Sequence, residues 1–119
     1  MLFIISTPIG HLEDITRRAL QSLESCDAVL CEDTRRSSIL LSRYGIKKQL
    51  ISYHKFKEKQ ALERVIAELE SGRNLALISD AGTPCINDPG QILIQACIER
   101  NVPFTAIPGP CSLIQALVL

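Results

Sequence analysis

Two aspartates and a threonine stand among turn formers in the stretch Asn74 to Gly90, which reads NLALISDAGTPCINDPG. Gly82 and Pro84 allow a sharp bend that neither a strand nor a helix would tolerate. Glycine and proline are enough for a plain turn. Asp80, Thr83 and Asp88 add acceptors that can orient a polar ligand, although the same residues are also ordinary turn and cap formers. Comparable groups recur along the chain: Thr7 in Thr7-Pro8-Ile9-Gly10, Asp33 and Arg35 after Glu32, Tyr53 with His54, and Pro108 to Ser112 around Cys111. Carboxylates and an imidazole suit proton acceptance, and the arginines and lysines suit anions.

The elements that must position these groups follow from apolar periodicity. Leu75 to Ile78 is a short apolar run, as expected of a strand buried on both faces of a parallel sheet. Similar runs at Leu2 to Ile5, Asp27 to Cys31, Leu50 to Tyr53 and Val102 to Ile107 make five strands. Between them lie helical patterns. Thr16, Ala19, Leu20 and Leu23 follow Glu13 and Asp14, acids placed where a helix start favours them. A second helix, capped by Asp33 or Thr34, runs to about Tyr44 and stops at Gly45. Leu62, Val65, Ile66 and Leu69 mark a third, closed by Gly72, and Asp88 before Pro89 predicts a fourth from Pro89. Alternation of this kind predicts an α/β fold with a five-stranded, mainly parallel sheet flanked by helices. Five of the six prolines and four of the six glycines fall in strand-to-helix connections, which in a parallel sheet share one edge. Thr7, Asp33, Arg35, Tyr53, His54, Asp80 and Thr83 are therefore expected on one rim.

At 119 residues, with 46% hydrophobic and 22% charged residues, the chain is one globular domain. Aromatics at 4% without tryptophan argue against base-stacking platforms. The absence of a membrane span or signal peptide points to the cytoplasm. The five cysteines have no C-x-x-C spacing and the two histidines no paired carboxylate, so neither a disulfide framework nor a metal site is expected. Net charge is zero, yet residues 35 to 59 hold eight bases (Arg35, Arg36, Arg43, Lys47, Lys48, Lys55, Lys57, Lys59) against Glu58 alone, and so carry +7. The remainder, with five bases and twelve acids, carries −7. Such separation can steer a polyanion, though solvated helix faces give the same pattern. No P-loop, G-x-G-x-x-G or G-x-S-x-G motif occurs.

The blocks TPIG with LEDITRRAL, CEDTRRS, ISYH, ALISDAGTP with INDPG, and IPGPCS closely resemble the family of ribosomal RNA small-subunit methyltransferase I, within the tetrapyrrole methylase superfamily. The likeness runs over essentially the whole chain. It implies the N-terminal α/β domain of a two-domain protein, and the uncapped apolar end from Leu113 to Leu119 fits a fragment whose C-terminal α/β domain is missing. It further implies S-adenosylmethionine-dependent 2′-O-methylation of a cytidine in 16S ribosomal RNA, with the cofactor folded between the domains and the small ribosomal subunit as partner. By the same likeness Asp80, Ala81, Gly82, Thr83 and Pro84 hold the methionine and ribose end, and Pro108, Gly109, Cys111 and Ser112 add backbone contacts. Pro8 joins the cofactor site, while Thr7 and Gly10 line the cleft near the substrate. The sequence departs from the family at His11, Gln91 and Cys111, where Asn, Tyr and Ser are common.

A sulfonium methyl is already activated, so the chemistry asks mainly for alignment and for removal of one hydroxyl proton. Asp33 is the first candidate for that proton and His54 the second, while Arg35, Arg36, Lys55 and Lys57 suit phosphates. Asp33 equally suits a plain N-cap. The superfamily also methylates corrin precursors and a modified histidine intermediate, for which a +7 segment has no evident purpose; a non-catalytic RNA-binding module is a further alternative. Alone, the fragment is expected to be inactive, to bind cofactor weakly or not at all, and to self-associate or form a homodimer.

Overall fold

The computed structural model describes residues 1–87 and 89–119. Strands β1 (Leu2–Ile5), β2 (Ala28–Cys31), β3 (Gln49–Ser52), β4 (Leu75–Leu77) and β5 (Phe104–Ile107) alternate with helices α1 (Arg17–Ser25), α2 (Thr34–Arg43), α3 (Glu58–Glu70), α4 (Gln91–Glu99) and α5 (Ser112–Val118). All four strand pairings are parallel, in the order β3-β2-β4-β1-β5. The expected α/β fold is thus present, with every strand pointing the same way.

Side-chain alternation along the central strands builds two cores. Leu2, Ile4, Ala28, Leu30, Leu75 and Leu77 pack with Val65, Ile66 and Leu69 of α3 and Leu93 and Cys97 of α4. Ile5, Val29, Cys31 and Ala76 face the other way, toward Ala19 and Leu23 of α1 and Leu41 of α2. The period of two thus makes a three-layer sandwich. Each fully buried Leu or Ile contributes about 1.5–3 kcal/mol, which is why β2 and β4, buried on both faces, carry no polar residue.

Local chemistry sets the helix limits. In α1 the Thr16 hydroxyl accepts the Ala19 N–H at 3.0 Å, so Thr16 is the cap and Glu13 and Asp14 precede the first turn instead of forming it. Helix α2 ends as expected: Gly45 has φ +70°, and the Ile46 N–H reaches back to the Leu41 carbonyl at 2.9 Å. Helix α4 begins at Gln91, not Pro89, because Gly90 at φ +134° cannot belong to a helix. The expected Asp88 cap lies outside the described residues.

Parallel strands split the basic segment. Arg35, Arg36, Lys55, Lys57 and Lys59 follow β2 and β3 at the carboxyl edge, whereas Arg43, Lys47 and Lys48 lie toward the opposite edge, between α2 and β3. Among the described residues, the ion pairs are made by Arg64, Arg73 and Arg100, and none involves these eight bases. No helix among those residues is long and apolar enough to cross a membrane.

None of the five cysteines is in a disulfide. Burial is the main cause that pushes the Cys26, Cys31 and Cys97 thiols up from their ordinary range. These three should resist maleimide in the native protein at neutral pH and react once it is unfolded, with intact mass as the readout. A native adduct on any of the three would contradict their packing.

Candidate functional site

Three features of the sheet create a site. First, the chain leaves β1 toward β2 on one side and leaves β4 toward β5 on the other, so the neighbouring ends of β1 and β4 form a topological switch point. Ligands of open α/β sheets gather at such points. Second, the loops that leave there are joined. The Thr7 N–H donates to the Gly82 carbonyl and the Gly82 N–H to the Thr7 carbonyl, both at 3.0 Å. Third, the end of β5 is tied in: the Thr83 hydroxyl donates to the Pro110 carbonyl at 2.9 Å and accepts from Ser6 Oγ at 2.9 Å. A Cβ on Gly109 would come within 2.8 Å of Ser6 Cβ, so glycine is required for that approach.

The turn held in this way is a divider. On one side lies an open cleft of about 370 Å³, bounded by Pro8, Ile9, Gly10 and Leu12, by Arg36, Ser37, Ile39 and Leu40 of α2, and by Ser79, Asp80 and Ala81. On the other is a smaller cavity of about 90 Å³ between Ala81, Gly82, Thr83, Ile86 and Asn87 and the start of α5 at Cys111, Ser112 and Leu113. Gly82 has φ +80°, and a Cβ there would press on Ile9 Cγ2 at 3.1 Å, so the wall between the two stays thin. Asp80 lines the larger cleft, and among the described residues its Oδ1 is buried without a hydrogen-bond partner. Buried polar atoms are ordinarily satisfied, so this carboxylate oxygen leaves an open acceptor beside the cleft.

The residues singled out by sequence distribute unevenly. Pro8, Gly10, Arg36, Asp80 and Ala81 meet at the larger cleft; Gly82, Thr83, Cys111 and Ser112 meet at the smaller one. Pro84 is buried, and Pro108 and Gly109 are exposed where the strand β5 ends. Thr7 reaches the rim, but its side chain is fully buried and donates to the Ser79 carbonyl at 3.2 Å, so it frames the cleft without facing it. Asp33 is the N-cap of α2: its Oδ1 accepts the Arg35 N–H at 2.9 Å and the Arg36 N–H at 3.4 Å. Arg35 and Lys57 are exposed beyond the two cavities. His54 and Lys55 border a separate hollow of about 410 Å³ with Glu32, Phe56, Asn87 and Pro89.

Tyr53, expected on the rim, is instead fully buried and donates to Glu58 Oε1 at 3.2 Å. Its hydroxyl is pushed well above the ordinary phenol range, by desolvation first and by the Glu58 charge second. Glu58 also accepts the Gly90 N–H at 2.9 Å. Sequence reading missed this acid, although it is the one carboxylate in the basic segment. It also missed Ile39 and Leu40, which stand three and four residues after Arg36 and so lie on the same helix face.

Known proteins resemble this chain in sequence and in fold. A curated relative from Hydrogenobaculum sp. (strain Y04AAS1), named ribosomal RNA small subunit methyltransferase I, is 50% identical over 118 residues, covering 98% of this chain and 51% of its own. The protein of that name from Escherichia coli O157:H7 is 47% identical over 116 residues, 98% of this chain and 41% of its own. The chain thus spans about half the length of the curated relatives it matches. A crystal structure of uroporphyrin-III-C-methyltransferase from Thermus thermophilus superposes with a TM-score of 0.75 at 25% identity, covering 98% of this chain and 50% of that one. The family model for tetrapyrrole (corrin/porphyrin) methylases matches residues 1–119 from end to end. With that match spanning both loops of the switch point and all five strands, the chain belongs to the tetrapyrrole (corrin/porphyrin) methylase family.

Proposed function

We propose that this chain forms the cofactor-holding half of an S-adenosylmethionine-dependent methyltransferase that acts on small-subunit ribosomal RNA in the cytoplasm, at the 2′-oxygen of a cytidine. The observation that carries the reading is the orphaned Oδ1 of Asp80 beside the cleft at the β1/β4 switch point. A buried acceptor with no partner suits the hydroxyls or ammonium of such a cofactor. When bound, the cofactor supplies an activated methyl group.

The protein's own share is alignment and proton handling. In this reading Asp80, with Ala81 and Pro8, fixes one end of the cofactor, and Gly82 to Pro84 with Pro108 to Ser112 offers backbone groups on the other side of the divider. Asp33 or His54 accepts the ribose proton. For Asp33 this requires Oδ2, since Oδ1 is occupied by the α2 N–H groups. Arg35, Arg36, Lys55 and Lys57 hold phosphates, with Thr7 and Gly10 shaping the substrate side. For the intact protein we propose a second α/β unit over this rim, and for this chain alone self-association through the exposed Leu117 and Val118 of α5.

Charge alone does not choose the substrate, because a tetrapyrrole bearing carboxylates would also be drawn to lysines. Identities of 47% and 50% to proteins named for ribosomal RNA, against 25% to the uroporphyrin enzyme, favour RNA. The test is calorimetric titration of S-adenosylmethionine and its demethylated product into a protein carrying this chain and the second unit. Asp80→Asn keeps the shape but loses the charge, and is expected to weaken binding about ten- to hundredfold. The same variant should unfold at equal or higher denaturant concentration, since the buried Oδ1 has no hydrogen-bond partner to lose. Wild-type affinity in Asp80→Asn would sink the assignment.

A further inference from the structure

Between β3 and α3 the chain makes a short turn anchored at both ends. Tyr53 is fully buried at one end and Glu58, 4% exposed, at the other, and their side chains are hydrogen-bonded to each other. Inside the turn the Lys57 N–H donates to the His54 carbonyl at 2.9 Å. What the anchors leave outside is Lys55, Phe56 and Lys57, and the Phe56 side chain is 93% exposed. A phenyl ring held out in water by a pinned turn forgoes the burial that an aromatic side chain normally contributes. His54 meets it only edge-on, with ring centroids 6.3 Å apart and planes inclined at 63°. Among the described residues neither neighbouring lysine is in an ion pair.

We propose that Phe56 is a stacking anchor for an unpaired RNA base, with Lys55 and Lys57 on the phosphates to either side; this rests on the reading that the rim meets RNA. An aromatic face between two cations matches the chemistry of single-stranded nucleic acid, in which every base offers a π-face and every linkage a negative charge. The low aromatic content argues against an extended platform, and one ring is enough to hold one base. A folded duplex keeps its bases stacked internally and offers nothing for this ring, so single strands are preferred.

The experiment uses a protein carrying this chain and the second unit, with a short single-stranded RNA containing one 2-aminopurine, and compares wild type, Phe56→Ala, Phe56→Leu, Phe56→Tyr and Lys55→Ala. Wild type and Phe56→Tyr are expected to change the 2-aminopurine emission on binding as the base leaves its neighbours, and Phe56→Ala to bind about tenfold or more weakly without that change. Phe56→Leu, apolar but without a π-face, should resemble alanine. Lys55→Ala should lower the slope of log affinity against log salt by about 0.7. Cofactor titration should be unchanged in the three Phe56 variants, since Phe56 lines neither cavity beside Asp80. Equal RNA affinity in wild type and Phe56→Ala overturns the stacking role while leaving RNA as substrate. No RNA binding by a wild type that binds cofactor overturns both this role and the RNA reading. A Phe56→Ala variant that alters sedimentation but not RNA affinity assigns the ring to a contact between copies, and also overturns it.

Discussion

Alanine at Gly90 is expected to destabilise the protein by about 3–5 kcal/mol, combining backbone strain with overpacking. Gly90 adopts φ +134°, a region that L-residues rarely enter. An added Cβ would collide with Cys85 Sγ and lie 2.8 Å from Leu77 Cδ2. Cys85 could turn aside, but Leu77 is in the core at 1% exposure and has nowhere to go. Gly72→Ala is the control, because Gly72 also has positive φ, +96°, but its Cβ would meet nothing within 4 Å. That variant should lose only about 1 kcal/mol. Urea unfolding of the two variants against wild type gives the comparison, and similar losses in both would show that the approach of Leu77 to Gly90 is not tight.

The second large effect is at Glu58. Its Oε1 serves both the Tyr53 hydroxyl and the Gly90 N–H, so it joins the turn after β3 to the start of α4. Glu58→Ala leaves two buried donors without an acceptor and should cost about 2–5 kcal/mol. Glu58→Gln retains the oxygen and should lose about 1 kcal/mol. Tyr53→Phe combined with Glu58→Ala should cost less than the two single losses added together, since the partners share one interaction. There is a pH signature as well. The Tyr53 hydroxyl is raised in the folded state, so its contribution is complete below the ordinary phenol value of 10.0 and is lost as pH climbs beyond it. Tyr53→Phe should therefore show a shallower loss of stability between neutral and strongly alkaline pH, and an unchanged profile would remove Tyr53 from the cause.

Local signals carried the sequence reading a long way. Gly45 as the stop of α2 and the apolar runs of the strands are legible because each depends on neighbours in the chain. The common rim is legible because parallel strands leave no other arrangement for their connections. The order of the strands is another matter. Periodicity cannot say that β4 slots between β1 and β2, and it is that insertion which creates the switch point. Pairing unseen in the sequence misled at Tyr53 and Thr7, both expected as open rim residues and both buried on a partner: Glu58, five residues on, for Tyr53, and the distant Ser79 carbonyl for Thr7. Glu58 itself was passed over because the partner that holds it at its other side, the Gly90 N–H, lies 32 residues on. The start of α4 shows a local signal overruled, since Pro89 fits a first helical position but Gly90 breaks the turn behind it. At the candidate site, Asp80 was visible as an acid in a bend, whereas the orphaning of its oxygen emerges only from the fold.

The reciprocal pair of hydrogen bonds between Thr7 and Gly82 is the one antiparallel bridge recorded among the described residues. An open parallel sheet ordinarily leaves a slot between diverging loops into which a flat molecule can slide. Here that slot is laced shut at its floor, with the spacing fixed by two backbone bonds. Whatever binds must straddle the seam from above, with one part on either flank, and hydrogen exchange at these two amides should be as slow as in the strands beneath.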